Sequence, residues 1–333
     1  SEYSTIQSAI DSASEGDSVL VSAGTYDENL EITKSNLVIS SIEGKDATII
    51  HGGYNGSVIS IEDVNNVDFS GFTIQGGFAD KGGGIHIWSS FVTIHDMIVK
   101  ENIAGRNGGG IYCAGGSNNS MFFNMIIENN ETVIDDSSYE GGGGLFLAHS
   151  DDIKVLDTII QNNSTVDRGG GCHISHGCLN LYFDNVEIIY NQGNRVGGLY
   201  LNSVHDPIFH NVDISNNAII NFNSDGNVVV ANGIGVYFGS NIIFDGLKLN
   251  YNQSENENAY NTYAFNIWSA GVKFINSEVI NNYIGLYGAT TGFTINMELC
   301  NVLVAQNNSY PILIGSSNGN GNLRINNSTI TGV

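Results

Sequence analysis

Short apolar segments with alternating residues recur along the chain, and polar residues separate them. Examples are Phe91–Ile94, Leu181–Phe183 and Val272–Ile275. Apolar residues at every second position are typical of β-strands with one buried face, whereas amphipathic helices need a spacing of three to four. The separating residues are mostly Asn, Gly, Asp and Ser, and Pro occurs only at Pro207 and Pro311. The pattern predicts an all-β protein with many short strands.

The segments belong to a unit that repeats from about residue 64 onward. An apolar pair, an Asn and a loop are followed by Gly and an apolar triplet, as in Val99–Asn102 with Gly108–Ile111, and in Ile160–Asn163 with Gly169–Cys172. The anchoring asparagines, 26 to 35 residues apart, are Asn102, Asn130, Asn163, Asn191, Asn217, Asn252, Asn282 and Asn308. Such a unit buries its apolar face only against further copies, so the repeat predicts a solenoid.

Units of three short strands predict a single-stranded right-handed parallel β-helix of about ten to twelve rungs. Stacked asparagines at a turn can hydrogen-bond to one another and tolerate the left-handed conformation. Gly before the next strand allows the backbone to approach closely. A β-sandwich or propeller would need hairpin turns or a unit of about 40–45 residues, and neither is visible.

The first part of the chain differs from the repeat. It has apolar residues at helical spacing, namely Ile6, Ala9, Ile10 and Ala13. This spacing predicts an amphipathic capping helix over residues 3–14 that covers the open end of the solenoid. We expect residues 1–63 to form this cap and the first rungs, and residues 64–333 to form the repeat rungs of the same single domain. No similar cap follows the last repeat, so the C-terminal end is predicted to be uncapped and available for self-association.

The charge of the chain limits its partners. The net charge is −23, with 11 Lys and Arg against 34 Asp and Glu. Nucleic acid is a poor partner because binding it requires a basic surface. The longest apolar runs are too short for a transmembrane helix. An acidic, Asn-rich and Lys-poor surface favours a secreted or cell-surface location. No cofactor is predicted, calcium is the one ion considered, and no metal ligands are assigned.

The cysteines give little functional information. Cys113 and Cys172 lie at inward-facing strand positions and are predicted to be core residues. Cys172 and Cys178 are close enough in sequence to form a disulfide bond, and Cys300 has no evident mate. The spacing fits neither a zinc site nor a redox pair.

The repeat resembles those of known proteins. Val99–Ala104 followed by Gly108–Ile111 is similar to the repeats of bacterial surface β-helix adhesins and of right-handed β-helix repeat proteins in the pectate-lyase-like superfamily. Thr5–Ile10, Gly16–Val19 and Gly24–Asn29 are similar to the N-terminal rungs of that superfamily. The resemblance implies the fold but not the activity, since these rungs carry lyases, hydrolases, epimerases, esterases, adhesins and phage spikes.

Catalytic patterns of that superfamily are absent or incomplete. The basic residues are scattered, and the lyase-type Arg-x-Pro-x-x-Arg does not occur. A hydrolase with paired acids would draw on Asp135, Asp136, Asp151 and Asp152. The best local group with acid–base potential is His173 with Arg168 and Asp167. We therefore favour a non-catalytic function, with a polysaccharide lyase or glycoside hydrolase as the alternative.

The triplets after the Gly anchors place one residue on the outer side of each rung. Apolar flanks point inward, so the middle residue points outward. The outward series is His86, Tyr112, Phe146, His173, Tyr200, Tyr237, Asn266 and Tyr287, with Trp88 and Trp268 two positions after a series member. At a rung spacing of about 4.8 Å these side chains predict an exposed aromatic stripe.

The stripe suggests three functions. The first is a secreted or cell-surface protein that binds a polysaccharide or surface glycan on these rings, as an adhesin or scaffold. The second is purely structural stacking, because outward aromatics on neighbouring strands stabilise a sheet. The third is a filament or sheath subunit that stacks end to end. A polysaccharide-active enzyme of the same fold stays open beside them.

Overall fold

The computed structural model describes residues 3–133, 141–220, 230–253, 263–290, 294–308, 311–316 and 320–331. These residues form an all-β parallel solenoid of about 10 turns with one short helix at its N-terminal end. The fold class predicted from the repeat is therefore confirmed.

The N-terminal helix α1 spans Ile6–Ser12. Thr5 caps it by accepting a hydrogen bond from an N–H of the first turn. Both carboxylate oxygens of Glu28 accept further N–H groups of that turn at 2.9 Å, which satisfies donors that a helix leaves open. Ile6 and Ile10 are 3% and 1% exposed and contact the first rungs. The amphipathic capping helix is confirmed, with a shorter span than predicted.

Three parallel ladders form the sides of each rung, and we call them sheets A, B and C in the order in which the chain enters them after each Gly anchor. Sheet A contains Leu30–Ile32, Ile59–Glu62, Ile85–Trp88, Ile111–Ala114, Leu145–Ala148, Cys172–Ser175, Leu199–Leu201, Ile284–Thr290 and Ile312–Ser316. Sheet B contains Ser18–Val21, Val38–Ser41, Asn65–Ser70, Phe91–His95, Met121–Phe123, Ile208–His210, Thr294–Cys300 and Asn320–Asn326. Sheet C contains Gly24–Asp27, Thr48–His51, Thr73–Gln75, Ile98–Lys100, Ile126–Glu128, Asp213–Ser215, Lys248–Asn250, Glu278–Ile280, Leu303–Ala305 and Thr329–Ile330.

Some strands continue from one sheet into the next. Ala231–Asp245 and Tyr263–Ile275 run from sheet A into sheet B. Lys154–Gln161 and Tyr182–Ile189 run from sheet B into sheet C. The short strand Val204–His205 pairs with Ala231–Asp245 at the corner between sheets A and B.

A fourth sheet lies between the end of sheet C and the start of sheet A, and we call it sheet T. Its six strands are Phe78–Lys81, Ile103–Asn107, Glu131–Thr132, Ser164–Thr165, Gln192–Gly193 and Ala218–Ile219. The loops between the Asn and Gly anchors contain this sheet, so part of each loop is hydrogen-bonded to its neighbours.

The anchoring asparagines form a buried ladder inside the turn that follows sheet C. The Asn163 side chain donates to the Asn191 Oδ1 at 3.0 Å and to the carbonyl of Ile127 at 2.9 Å. It accepts the backbone and side-chain N–H groups of Asn130, both at 3.0 Å. The predicted amide ladder is thus confirmed, except at its last position. That member is Asn307, which accepts from Asn282 and is 1% exposed, whereas Asn308 is exposed.

In most of the repeat units, a Gly at the start of the sheet A strand packs against this ladder. A Cβ atom on Gly144 would lie 2.7 Å from the carbonyl oxygen of Gly171 and 2.8 Å from Nδ2 of Asn163. A Cβ on Gly171 would lie 2.8 Å from Nδ2 of Asn191 in the same way. Asn and Gly recur together because each buried amide occupies the space that a side chain at the Gly would need.

Exposed turns at the corners use a second type of Asn ladder. Asn185 has a φ of 54° and donates to Asp157 at 2.7 Å, one rung earlier. Asp151 and Asp152 serve the same purpose, since they accept the Leu179 N–H and the Asn180 amide, respectively. These two hydrolase candidates are therefore turn residues.

The other two hydrolase candidates, Asp135 and Asp136, lie outside the described residues.

All four cysteines are free, so the Cys172–Cys178 disulfide considered above is not formed. Cys113, Cys172 and Cys178 are buried in the core, as predicted for the first two. Burial raises the pKa of Cys113 to about 12 and that of Cys178 to about 11. These thiols act as small apolar side chains.

Candidate functional site

The predicted aromatic stripe exists on sheet A, but its centre is buried. His86, Tyr112, Phe146, His173 and Tyr200 stand in register on successive strands. Ring centroids of neighbours are 4.8 to 5.4 Å apart. All of these residues except His86 are only 0 to 4% exposed. The predicted exposure is therefore wrong for these residues, and the ligand-binding role assigned to them stays a prediction.

Cationic side chains lie over the stripe. The Lys81 Nζ lies 5.3 Å from the centroid of the Tyr112 ring, and the Arg168 Cζ lies 5.4 Å from that of Tyr200. Burial is the largest cause that raises the pKa of Tyr112 to about 12. Alternation correctly predicted that these rings lie on the outer side of sheet A. Cation–π contacts with Lys81 and Arg168 help to shield them from solvent.

The acid–base candidates His173, Arg168 and Asp167 lie near this covered region. Asp167 pairs with Arg168 at 2.9 Å and with Arg195 at 3.2 Å, and the three side chains are 3%, 7% and 12% exposed. His173 is 0% exposed and lies between the rings of Phe146 and Tyr200. A substrate does not reach these groups in this structure, so the arrangement fits a buried ion-pair network that closes over the stripe.

The stripe changes beyond Tyr200. Gly235, and not Tyr237, stands in register with Tyr200. The register follows from Gly233, which is the glycine that packs against Asn252 of the Asn ladder. Tyr237 is displaced by two residues, so it still faces outward and packs against the Tyr200 cluster together with Trp268. The alignment of Tyr237 with the stripe was therefore wrong.

Asn266 continues the stripe and is largely buried, since its amide donates to the carbonyl of Val230 at 3.0 Å. Tyr287 follows Asn266 in register and stacks on Tyr263, with centroids 3.9 Å apart.

The N-terminal end of the stripe is more accessible. Trp88 is 41% exposed, and a Cβ on Gly115 would lie 2.6 Å from its ring. His86 is 24% exposed at its side chain and lies 3.4 Å from Glu62. Desolvation lowers the pKa of His86 despite this carboxylate. Rings at this end are accessible to a ligand, and Tyr237, Trp268 and Tyr287 toward the other end are also partly exposed.

The outer face of sheet B is accessible over most of its length. Its outward side chains form two columns of residues that are at least partly exposed. The first column is Asp68, Thr93, Met121, Lys154, Tyr182, Ile208, Ile243, Lys273, Glu298 and Arg324. The second column is His95, Phe123, Leu156, Asp184, His210, Asp245, Ile275, Cys300 and Asn326.

An acid–base cluster lies in the middle of this face. The Nδ1 of His210 lies 2.7 Å from one oxygen of Asp184, and the Tyr182 hydroxyl donates to the other at 3.3 Å. The His210 and Asp184 side chains are 49% and 36% exposed. Desolvation and then the charge of Asp184 raise the pKa of Tyr182. Lys154 stands in register with Tyr182, one rung away.

This arrangement can transfer protons. A carboxylate that accepts the Nδ1–H of a histidine leaves Nε2 as the proton acceptor. The Tyr182 hydroxyl already donates to Asp184, so it supplies the cluster with an O–H donor. The cluster therefore combines a base and an acid on an accessible surface.

A second histidine lies toward the N-terminal end of the same face. The ring nitrogens of His95 lie 3.2 Å from Asp68 and 2.6 Å from Asp96. Desolvation raises the pKa of Asp96, but hydrogen bonds from His95 and Asn124 outweigh it and lower that pKa. Phe123 stacks on His95 with centroids 4.5 Å apart. Carboxylates contact both ring nitrogens of this histidine, whereas Asp184 contacts Nδ1 of His210.

Sequence reasoning missed the cluster around His210, although a signal was present. Tyr182 and Asp184 flank the inward Phe183, and His210 follows the inward Phe209 one rung later. Alignment of the sheet B strands, in the way applied to sheet A, would have placed these side chains together.

No metal site was found among the described residues, where no group of three or more His, Cys, Asp or Glu side chains is placed to hold an ion. The calcium considered above stays a prediction. Across the described ranges, no helix has the length and apolarity needed to span a membrane.

Comparisons with known proteins identify the fold. No family model matches the chain, and no curated protein matches its sequence. The mannuronan C-5 epimerase AlgE6 A-module of Azotobacter vinelandii is similar in structure, with a TM-score of 0.61 and 12% identity over 98% of this chain and 94% of that one. Tailspike protein 2 of Escherichia coli O157:H7 bacteriophage CAB120 has a TM-score of 0.52 and 10% identity over 93% of this chain and 43% of that one. PfbA, a surface adhesin of Streptococcus pneumoniae, has a TM-score of 0.45 and 10% identity over 97% and 85%.

The likenesses to the AlgE6 module and to tailspike protein 2 show that the chain has the right-handed parallel β-helix fold. At such identities they show the fold alone.

Proposed function

We propose that this β-helix binds a polysaccharide along the outer face of sheet B and performs acid–base chemistry on it. The single observation that carries the proposal is the His210–Asp184–Tyr182 cluster, because it joins a polarised histidine to a proton donor on an exposed surface. In this proposal Nε2 of His210 accepts a proton from the sugar, and Tyr182 returns one.

Lys154 supports the proposal through its charge. It stands in register with Tyr182, so its ammonium group belongs to the same outward surface. A positive charge near the acid–base pair favours negative charge that develops on a sugar oxygen. The AlgE6 module, which shares the fold, is named as an enzyme that acts on the polysaccharide mannuronan. An extracellular polysaccharide as partner implies a secreted or cell-surface location.

The proposal is tested with a panel of neutral and uronate polysaccharides. New reducing ends, ultraviolet absorbance of unsaturated products and NMR of the sugar carbons report hydrolysis, elimination and epimerisation. His210→Ala and Asp184→Asn are expected to lower kcat by at least about 100-fold, as for loss of a general acid or base. His205→Ala is the matched control, since His205 is also exposed and hydrogen-bonded, to Ser240 at 2.8 Å.

Two results would count against catalysis. One is turnover by His210→Ala at the level of the unmodified chain. The other is binding of a polysaccharide without any product, which would instead favour the adhesin or scaffold function. End-to-end assembly into filaments stays a prediction from the sequence.

A further inference from the structure

A groove crosses the outer face of sheet B on its C-terminal rungs. Its volume is about 910 Å³, which lies within the range of ligand-binding clefts. Four successive strands contribute to it, and each presents two outward residues. One wall is the row Asn241, Gly271, Asn296 and Asn322, and the other is the row Ile243, Lys273, Glu298 and Arg324.

The amide wall suits a ligand rich in hydroxyl groups. Asn322 donates to the Oδ1 of Asn296 at 2.8 Å, and Asn241 donates to Asp206 at 2.7 Å. Each of these amides has two N–H groups and an oxygen with two lone pairs, so one such bond leaves capacity for a ligand. Gly271 interrupts the wall and leaves room between the amides.

The charges in the groove largely compensate each other. Lys273 pairs with Glu298 at 3.5 Å, and Arg324 stands in register with Glu298 on the next strand. Asp206 adds a second carboxylate beside Asn241. Because the net charge of the chain is −23, a polyanion would be repelled at long range. The groove therefore favours an uncharged ligand.

The groove lies in line with the acid–base cluster. Ile208 pairs with Tyr182 on one side and with Ile243, a wall residue, on the other. The strand that carries His210 is therefore the direct neighbour of the first groove strand, and the strand of Tyr182 and Asp184 lies one rung further away, at roughly 4.8 Å a rung, on one continuous face. A polymer bound in the groove can extend to His210.

We propose that this groove is a binding subsite for an uncharged, hydroxyl-rich segment of a polysaccharide chain. The inference rests on the proposed function, because it assigns the part of the polymer that lies beyond the reacting sugar. Asn296 and Asn322 hydrogen-bond the hydroxyl groups, and the gap at Gly271 admits a sugar ring.

A large side chain at position 271 tests whether the space at Gly271 is needed for binding. A Cβ on Gly271 would meet its nearest atom, the backbone N of Asn241, at 3.7 Å, so Gly271→Trp blocks the groove without backbone strain. Calorimetry with neutral hexasaccharides (glucan, xylan, mannan and galactan) should show binding that is at least about 10-fold weaker than that of the unmodified chain. Glu187→Trp is the control, because Glu187 is an exposed, outward residue of sheet C.

Uronate hexasaccharides test the ligand class. The unmodified chain should bind them at least about 10-fold more weakly than the neutral hexasaccharides. A preference for uronate hexasaccharides, or unchanged binding of neutral hexasaccharides by Gly271→Trp, would overturn the inference.

The two proposals fail separately. If His210→Ala lowers turnover while Gly271→Trp binds normally, the groove inference fails and the catalytic proposal stands. If Gly271→Trp loses binding while His210→Ala has no effect on turnover, the catalytic proposal fails and the groove inference stands.

Discussion

Replacement of Asn163 by alanine is expected to destabilise the solenoid strongly. The Asn163 side chain takes part in four hydrogen bonds with three neighbouring residues, and it is 1% exposed. Alanine removes all four. The backbone N–H of Asn130 loses the Oδ1 that accepts it, in a site with no access to water.

The magnitude follows from these groups. A buried donor left without a partner costs about 1–3 kcal/mol, and each of the other three bonds contributes about 0.5–1.5 kcal/mol. The free energy of unfolding should therefore fall by about 2.5–7.5 kcal/mol. The effect should be local at first, since each rung of a solenoid contacts only its neighbours.

Urea unfolding followed by circular dichroism measures the loss, and hydrogen exchange locates it. Amides of the rungs around Asn163 should lose protection before those near α1. Asn185→Gly is the control: Asn185 is exposed, and Gly suits its φ of 54°, so the change should stay within about 1 kcal/mol. If Asn163→Ala were no less stable than this control, the buried ladder would not hold the rungs together as argued.

Three further predictions follow from burial and close packing. Gly144→Ala should lower the free energy of unfolding by about 1–3 kcal/mol, because its Cβ would lie 2.7 Å from a backbone oxygen. Gly271→Ala is the control, since its Cβ would lie 3.7 Å from the nearest atom. Equal urea midpoints of the two variants would contradict the packing argument. Cys300, which is partly exposed, should react with iodoacetamide in the folded protein long before the buried Cys113, whose pKa is raised to about 12; equal rates in mass spectrometry would refute this. Tyr112 has a pKa raised from 10.0 to about 12, so its contribution to stability is complete below pH 10 and is lost as the pH rises toward 12. Tyr112→Phe should weaken this alkaline loss in pH-dependent urea titrations, and an identical profile would contradict it.

The fold was predictable because its determinants are local and repeated. Asn at the turn and Gly before the next strand meet in one repeat unit after another, as Asn163 meets Gly144 and Asn191 meets Gly171, so each copy strengthens the prediction. The errors arose where two choices look alike in sequence. Asn307 and Asn308 are identical residue types, and only the register of the rung decides which of them enters the ladder.

Tyr237 also shows that alternation in the sequence does not determine the register between strands. Gly233 and Gly235 both precede apolar residues, and only Gly233 faces the ladder. A slip of two residues keeps every side chain on the same face, so alternation could not reveal the error.

The candidate site was harder to predict than the fold. Alternation gives the side of a sheet that a residue faces, but not whether another part of the chain covers that side. Lys81 and Arg168 lie over the stripe from other segments. The cluster at His210 depends on contacts between rungs, namely its bond to Asp184, which lies 26 residues earlier.

The Asn ladder also bears on how such a chain can change in length. Successive anchors lie 25 to 35 residues apart, yet the backbone N–H bonds between them stay at 2.9 to 3.1 Å. Each joint along the ladder from Asn102 to Asn307 is therefore chemically the same, whatever the size of the loop beside it. A gene that duplicates or loses one whole unit would recreate an identical joint, so the number of rungs is a property that unequal recombination can alter while the core chemistry stays intact.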